Sequence, residues 1–215
     1  MKNLSKLLLV LFSFNFCFSQ INIEQIKKNV ANNPQKYYYE YLDIFKQSPD
    51  KLSQEQLNQL YYGSRFIKSE YALINYNNDY EKIWKFAKKG MSKGKAQKIV
   101  SLAEEKYLKN PLEKEILLNM TIFYSALDET MKKEICETQY KAIINTIENS
   151  GTGLSEDSPV CVIRAGDMIS MLKRVMVGYG DFKQKDKELP DGSLLTEYSF
   201  GENKIFVKLV GGIQF

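Results

Sequence analysis

The chain has 215 residues, 44% hydrophobic and 13% aromatic, which excludes a disordered chain and suffices for one folded domain. Its formal charge is +4, half of it from Lys2 and Lys6, which is too balanced to argue for nucleic acid or an acidic substrate as partner. Histidine is absent, which removes the commonest general base near neutral pH, the Ser-His and Cys-His arrangements and the commonest metal ligand.

Residues 1–19 read as a cleavable signal peptide. Lys2 and Lys6 form a positive start, and Leu7 opens an apolar run that reaches Phe18 with Ser13 and Asn15 interrupting. Cys17 and Ser19 are the small residues that a signal peptidase needs before a cut ahead of Gln20. The run is shorter than the roughly 20 apolar residues of a retained span. Phe14-Asn15-Phe16 lacks the pattern that would direct lipid to Cys17. The expectation is an exported chain, periplasmic or extracellular, with no membrane span after cleavage.

From Ile23 to Asn149 the apolar period is helical. Ile23, Ile26 and Val30 make a first stripe, which Asn33-Pro34 stops. Tyr37, Tyr38, Tyr41, Leu42 and Phe45 make a second, ending before Pro49. Ser53 and Gln56 form a capping box that opens a helix carrying Leu57, Leu60 and Tyr61, with Gly63 as its C-cap or a kink. Asp79 caps a helix with Tyr80, Ile83, Trp84 and Ala87 inward and lysines outward, and Gly90 ends it. Ser92 starts a longer helix through Ala96, Ile99, Val100, Ala103 and Tyr107. Asn110-Pro111 breaks it, with Pro111 as first residue of the next. Ile116, Met120, Phe123 and Leu127 line that one. Asp128 begins the last, whose stripe is Cys136, Tyr140, Ile143, Ile144 and Ile147. An offset of about 37 residues superposes the last two hairpins in part, consistent with a tetratricopeptide-like array or with an irregular bundle.

Beyond Asn149 the pattern changes. Pro159 to Ile163 reads as a buried strand and Gly166 to Val177 as a helix. Gly178 to Lys187 reads as a polar mobile loop, and Asp191-Gly192 as a turn. Leu194–Phe200 and Ile205–Val210 read as a hairpin joined by Gly201-Glu202-Asn203-Lys204. The predicted fold is mainly α, a helical domain over residues 20–150. A small α+β part over residues 151–215 carries a short antiparallel sheet that caps it.

Few residues point to chemistry. Glu104-Glu105 and Glu156-Asp157 are sequence neighbours that point apart, so solvated surface accounts for them. Gly151-Thr152-Gly153-Leu154-Ser155 lacks the lysine and the preceding strand of a phosphate loop, and a tight turn explains it better. The six lysines from Lys85 to Lys98 fit the wet faces of two amphipathic helices. Cleavage leaves Cys136 and Cys161, either paired as a disulfide or separate in the core. No C-x-x-C occurs, so no zinc knuckle is available, and no metal or cofactor is expected. Fourteen tyrosines are the unusual feature. Tyr38 and Tyr61 continue apolar stripes, whereas Tyr39 lies about 200° from Tyr37 and Tyr62 turns partly away, so both are predicted partly exposed. Exposed tyrosines give rigid contact area suited to a protein or glycan partner.

The order of the Tyr37-Tyr38-Tyr39 cluster, Leu60-Tyr61-Tyr62-Gly63 with Phe66, then Ser150-Gly151-Thr152-Gly153-Leu154-Ser155 and a C-terminal hairpin resembles the exported bacterial proteins of domain-of-unknown-function family 4919. Ser64 and Thr152 depart from the family's usual residues. The resemblance implies export and this order of elements, and it brings no activity, cofactor or site residue. The functional expectation is a non-enzymatic binding or structural module of the bacterial envelope, with Tyr39 and Tyr62 as candidate contacts for an envelope protein or glycan. The alternative is an enzyme acting on envelope polymers through carboxylates or a Lys/Ser pair.

Overall fold

The computed structural model describes residues 21–67, 78–88, 91–164, 166–168, 172 and 182–212. The signal-peptide reading, the Gly90 stop and most of the helix from Gly166 to Val177 lie outside these residues; within that helix, residues 166–168 and Leu172 are helical.

The first helix, α1 (Ile23–Asn32), is capped by Asn22, whose side chain accepts from Gln25 N at 2.9 Å. A π-helical turn over Gln35–Tyr39 runs into α2 (Glu40–Gln47), burying Tyr38, Leu42 and Phe45 as their spacing predicts. Helix α3 (Gln54–Gly63) begins at the predicted Ser53/Gln56 capping box. Gly63 ends it without leaving the helical region, so it is not a left-handed cap. A Cβ there would stand 3.0 Å from Val30 Cγ2, so the glycine permits close packing of α3 on α1.

Helices α4 (Asn78–Lys88), α5 (Lys93–Lys109), α6 (Lys114–Leu127) and α7 (Thr130–Glu148) follow, each packed on the next, with α4 also touching α6. The second hairpin's helices start 36 and 37 residues after those of the first (Asn78 to Lys114, Lys93 to Thr130). An offset of 37 sets Trp84 on Thr121 and Val100 on Glu137, unlike in chemistry yet all half-buried. Three boundary residues have other roles than predicted. Asp79 lies in the first turn of α4, its carboxylate 2.7 Å from the buried Lys106 ammonium of α5. Pro111 is buried in the turn before α6, which starts at Lys114. Asp128 closes α6 in the left-handed conformation, φ 64°, instead of opening α7. Trp84, predicted inward, is half-buried, because it sits about 70° off the centre of the Tyr80/Ile83/Ala87 stripe.

The C-terminal sheet contains β1 (Val160–Val162), β2 (Lys183–Glu188), β3 (Leu194–Phe200) and β4 (Asn203–Leu209) in the order β1-β4-β3-β2. It is mixed: β1 runs parallel to β4, and the other pairs are antiparallel. Strand β2 falls where a polar loop was predicted. Its residues are all exposed, so it shows no inside-outside alternation, yet its backbone pairs with β3 from Lys183↔Ser199 to Glu188↔Leu194. Strand β4 begins at Asn203, which tightens the hairpin to a Gly201-Glu202 turn with Gly201 at φ +60°.

Two hydrophobic clusters result. The first joins α1, α2, α3 and the C-terminal half of α7 to β1, β3 and β4. The second lies among α4, α5, α6 and the N-terminal half of α7, and Tyr107 packs against both.

Candidate functional site

The residues singled out from the sequence do not converge. Tyr39 is 41% exposed and meets the buried Tyr38 ring edge-on. Tyr62 is fully buried, contrary to its predicted partial exposure. Its hydroxyl donates to Cys161 O at 3.0 Å, because α7 and β1 cover the side of α3 that faces away from the Leu57/Leu60 stripe. Cys136 and Cys161 are free thiols in different clusters, so no disulfide joins them. Burial pushes Cys136 up to about 12 and Cys161 to about 11, which keeps both protonated and poorly nucleophilic. The glycine loop spends its amides internally. Gly153 N donates to Ser158 O at 2.7 Å and Thr152 N to Ser158 Oγ at 3.0 Å, which leaves no cradle for an anion.

Sequence reasoning missed a buried ionic junction. Lys114, at the start of α6, and Asp167, beyond β1, are 2% and 1% exposed at their side chains and 3.0 Å apart. Tyr61 donates to the other Asp167 oxygen at 2.6 Å, and Lys114 also approaches Glu115 at 3.1 Å. Beside them Arg164 donates to Leu112 O at 2.9 Å and lies 3.5 Å from the buried Glu113 carboxylate. Burial opposes the Lys114 charge, but Asp167 and Glu115 outweigh it and hold the ammonium above its ordinary value. Burial raises the Glu113 carboxyl, with Arg164 pulling the other way. These charges come from segments far apart in sequence, so no local spacing announces them. They tie α3, α6 and the segment after β1 together.

A groove of about 370 Å³ opens among α5, α6 and α7. Tyr107, Leu108, Met120, Tyr124, Ile135 and Cys136 line it, with Lys46, Glu104 and Lys132 among its polar lining. Leu108 is 69% exposed there. Gln139 also lines it and is fully buried. Its Nε2 donates to Phe45 O at 2.9 Å and to the Tyr107 hydroxyl at 2.8 Å. Those acceptors orient the amide, and its Oε1 is buried with no hydrogen-bond partner. Such an atom costs about 1–3 kcal/mol until a donor reaches it. Tyr124 donates to Glu104 at 2.7 Å, and Lys132 stands 2.7 Å from Glu129 and 5.1 Å above the Tyr124 ring. Arrangements of this kind, an aromatic and aliphatic wall with few oriented polar atoms, suit binding. A second hollow of about 450 Å³ beside Thr121 and Ile122 is less specific, since the Thr121 hydroxyl is taken by Leu117 O at 3.0 Å.

Among the described residues no group of three or more Cys, Asp or Glu side chains could hold a metal ion, and no helix is long and apolar enough to cross a membrane. A sequence model of one family, the domain of unknown function DUF4919, matches residues 24–188. No curated protein and no solved structure matches the chain.

Proposed function

We propose that this chain, which belongs to the DUF4919 family, is an exported, non-catalytic binding module of the bacterial envelope, with its ligand held in the α5–α6–α7 groove. The observation that carries the reading is the buried, partnerless Oε1 of Gln139, a residue that lines an aromatic groove. Lysine-based catalysis needs a neutral amine, and the buried Lys106 and Lys114 both face carboxylates, 2.7 Å from Asp79 and 3.0 Å from Asp167. Glu104, the carboxylate of the groove, already accepts from Tyr124 and faces Lys132. Export is supported by the charged start, apolar run and Cys17/Ser19 pair of residues 1–19.

Two experiments test the proposal. Intact-mass measurement of protein recovered from the envelope or medium should give a chain that begins at Gln20; a retained N-terminus, or lipid on Cys17, removes the export reading. A small-molecule fragment panel followed by amide NMR shift mapping should place most hits on Tyr107, Leu108 and Gln139. Hits confined to other surfaces, or release of products from labelled envelope polymer, would contradict the binding reading.

A further inference from the structure

Resting on the reading of this groove as a ligand site, we infer that its ligand is an uncharged, extended peptide segment that inserts one apolar side chain. The polar complement is that of one extended residue, whose own N–H and C=O point to the same side. Gln139 Oε1 is an acceptor in want of a donor. The Tyr107 hydroxyl accepts from Gln139 Nε2, which leaves its own proton to donate elsewhere. A peptide N–H and C=O supply that donor and acceptor together. A saccharide carries a hydroxyl on nearly every carbon, and the methyl-rich lining from Leu108, Met120 and Ile135 would leave most of them unpaired.

Charge narrows the choice further. Lys132 lies between Glu129 at 2.7 Å and Glu104 at 3.7 Å, and neither Lys132 nor Lys46 is buried. A charged ligand would meet only solvent-screened partners there. The groove's volume of about 370 Å³ takes a leucine- or phenylalanine-sized side chain with its peptide unit. Gln139 lines the groove but is fully buried, so a ligand reaches its Oε1 when neighbouring side chains shift. The unbranched Met120 and the exposed Leu108 permit that movement.

The test is a titration of the mature, nitrogen-15-labelled protein with end-blocked Gly-X-Gly tripeptides, where X is Leu, Phe, Gly or Asp, and with a trimer of N-acetylglucosamine. The Leu and Phe peptides should move the Gln139 side-chain amide and the Tyr107 and Leu108 backbone signals saturably. The Gly and Asp peptides should bind at least about tenfold more weakly. Leu108→Glu should abolish the shifts with an unchanged melting temperature, and Tyr107→Phe should weaken binding by up to about tenfold. If the saccharide moves these signals and the peptides do not, the peptide assignment falls and the groove stands. Shifts that survive Leu108→Glu overturn the peptide site. If no probe moves the groove signals, the peptide inference falls, and the fragment panel decides separately whether the groove binds a ligand.

Discussion

Tyr39 and Tyr62 are both turned off the apolar stripes of their own helices, yet only Tyr39 reaches solvent. Tyr39→Ala should therefore shift stability by less than about 1 kcal/mol, while Tyr62→Ala should cost about 3–5 kcal/mol, the usual range for deleting a buried aromatic. Urea titration of the two variants checks this, and equal effects would contradict the packing around Tyr62. The Lys114–Asp167 pair makes a sharper demand. Breaking a buried ion pair by removing one partner leaves a lone buried charge, so Lys114→Met should cost about 3–5 kcal/mol. Lys114→Met combined with Asp167→Leu should recover part of that loss. A double variant no better than the single would show that the remaining contacts of the junction, such as Tyr61 to Asp167, carry its stability.

At the scale of elements, the α1–α3 contact turns on Gly63. A methyl group there meets Val30 at 3.0 Å and Gln59 Nε2 at 3.3 Å, so Gly63→Ala should destabilise by about 1–3 kcal/mol despite alanine's better helix propensity. A stabilised variant would mean that the two helices separate freely. The sheet raises a different issue. The family match ends at residue 188, at the end of β2, yet among the described residues β2 pairs only with β3 and β1 only with β4. A fragment that stops at 188 keeps two strands without partners and loses Tyr198, Val207 and Leu209 from the first core. Circular dichroism of residues 20–188 should show a melting temperature at least several degrees below that of residues 20–215. An unchanged melting curve would make the β3–β4 hairpin dispensable.

For the molecule as a whole, the buried phenols, thiols and Lys114 set the pH range of the fold. Burial raises Tyr61 and Tyr62 well above the ordinary phenol value, with Asp167 adding to the shift at Tyr61 and Cys161 at Tyr62, and it raises Tyr107 to about 12. A group whose folded pKa is raised contributes stability that is complete below its unfolded value and lost as pH rises toward the folded one. The thiols begin to lose that contribution near their ordinary value of about 8.5, and the tyrosines and Lys114 at about 10, so the stable plateau should end at about pH 8–9 with a falling melting temperature above it. A phenolate absorbance titration should find Tyr61 and Tyr62 silent until the fold opens. Ionisation of every tyrosine before unfolding would contradict their burial.

The helices with their stripes, the Ser53/Gln56 cap and the length of β3 were legible in the chain itself, because periodicity and capping are encoded within a few residues. What lay beyond one element's reach was not. Tyr62 is buried by α7 and β1, Lys114 and Asp167 meet across 53 positions of sequence, and β2 is a strand only because β3 lies beside it. The groove belongs to the same class, since Gln139 is oriented by a carbonyl of α2 and a hydroxyl of α5. Its lone acceptor exists only where three helices enclose it. Local interactions set each element's period and ends, whereas burial of a polar atom depends on neighbours that tertiary packing alone brings within hydrogen-bond distance.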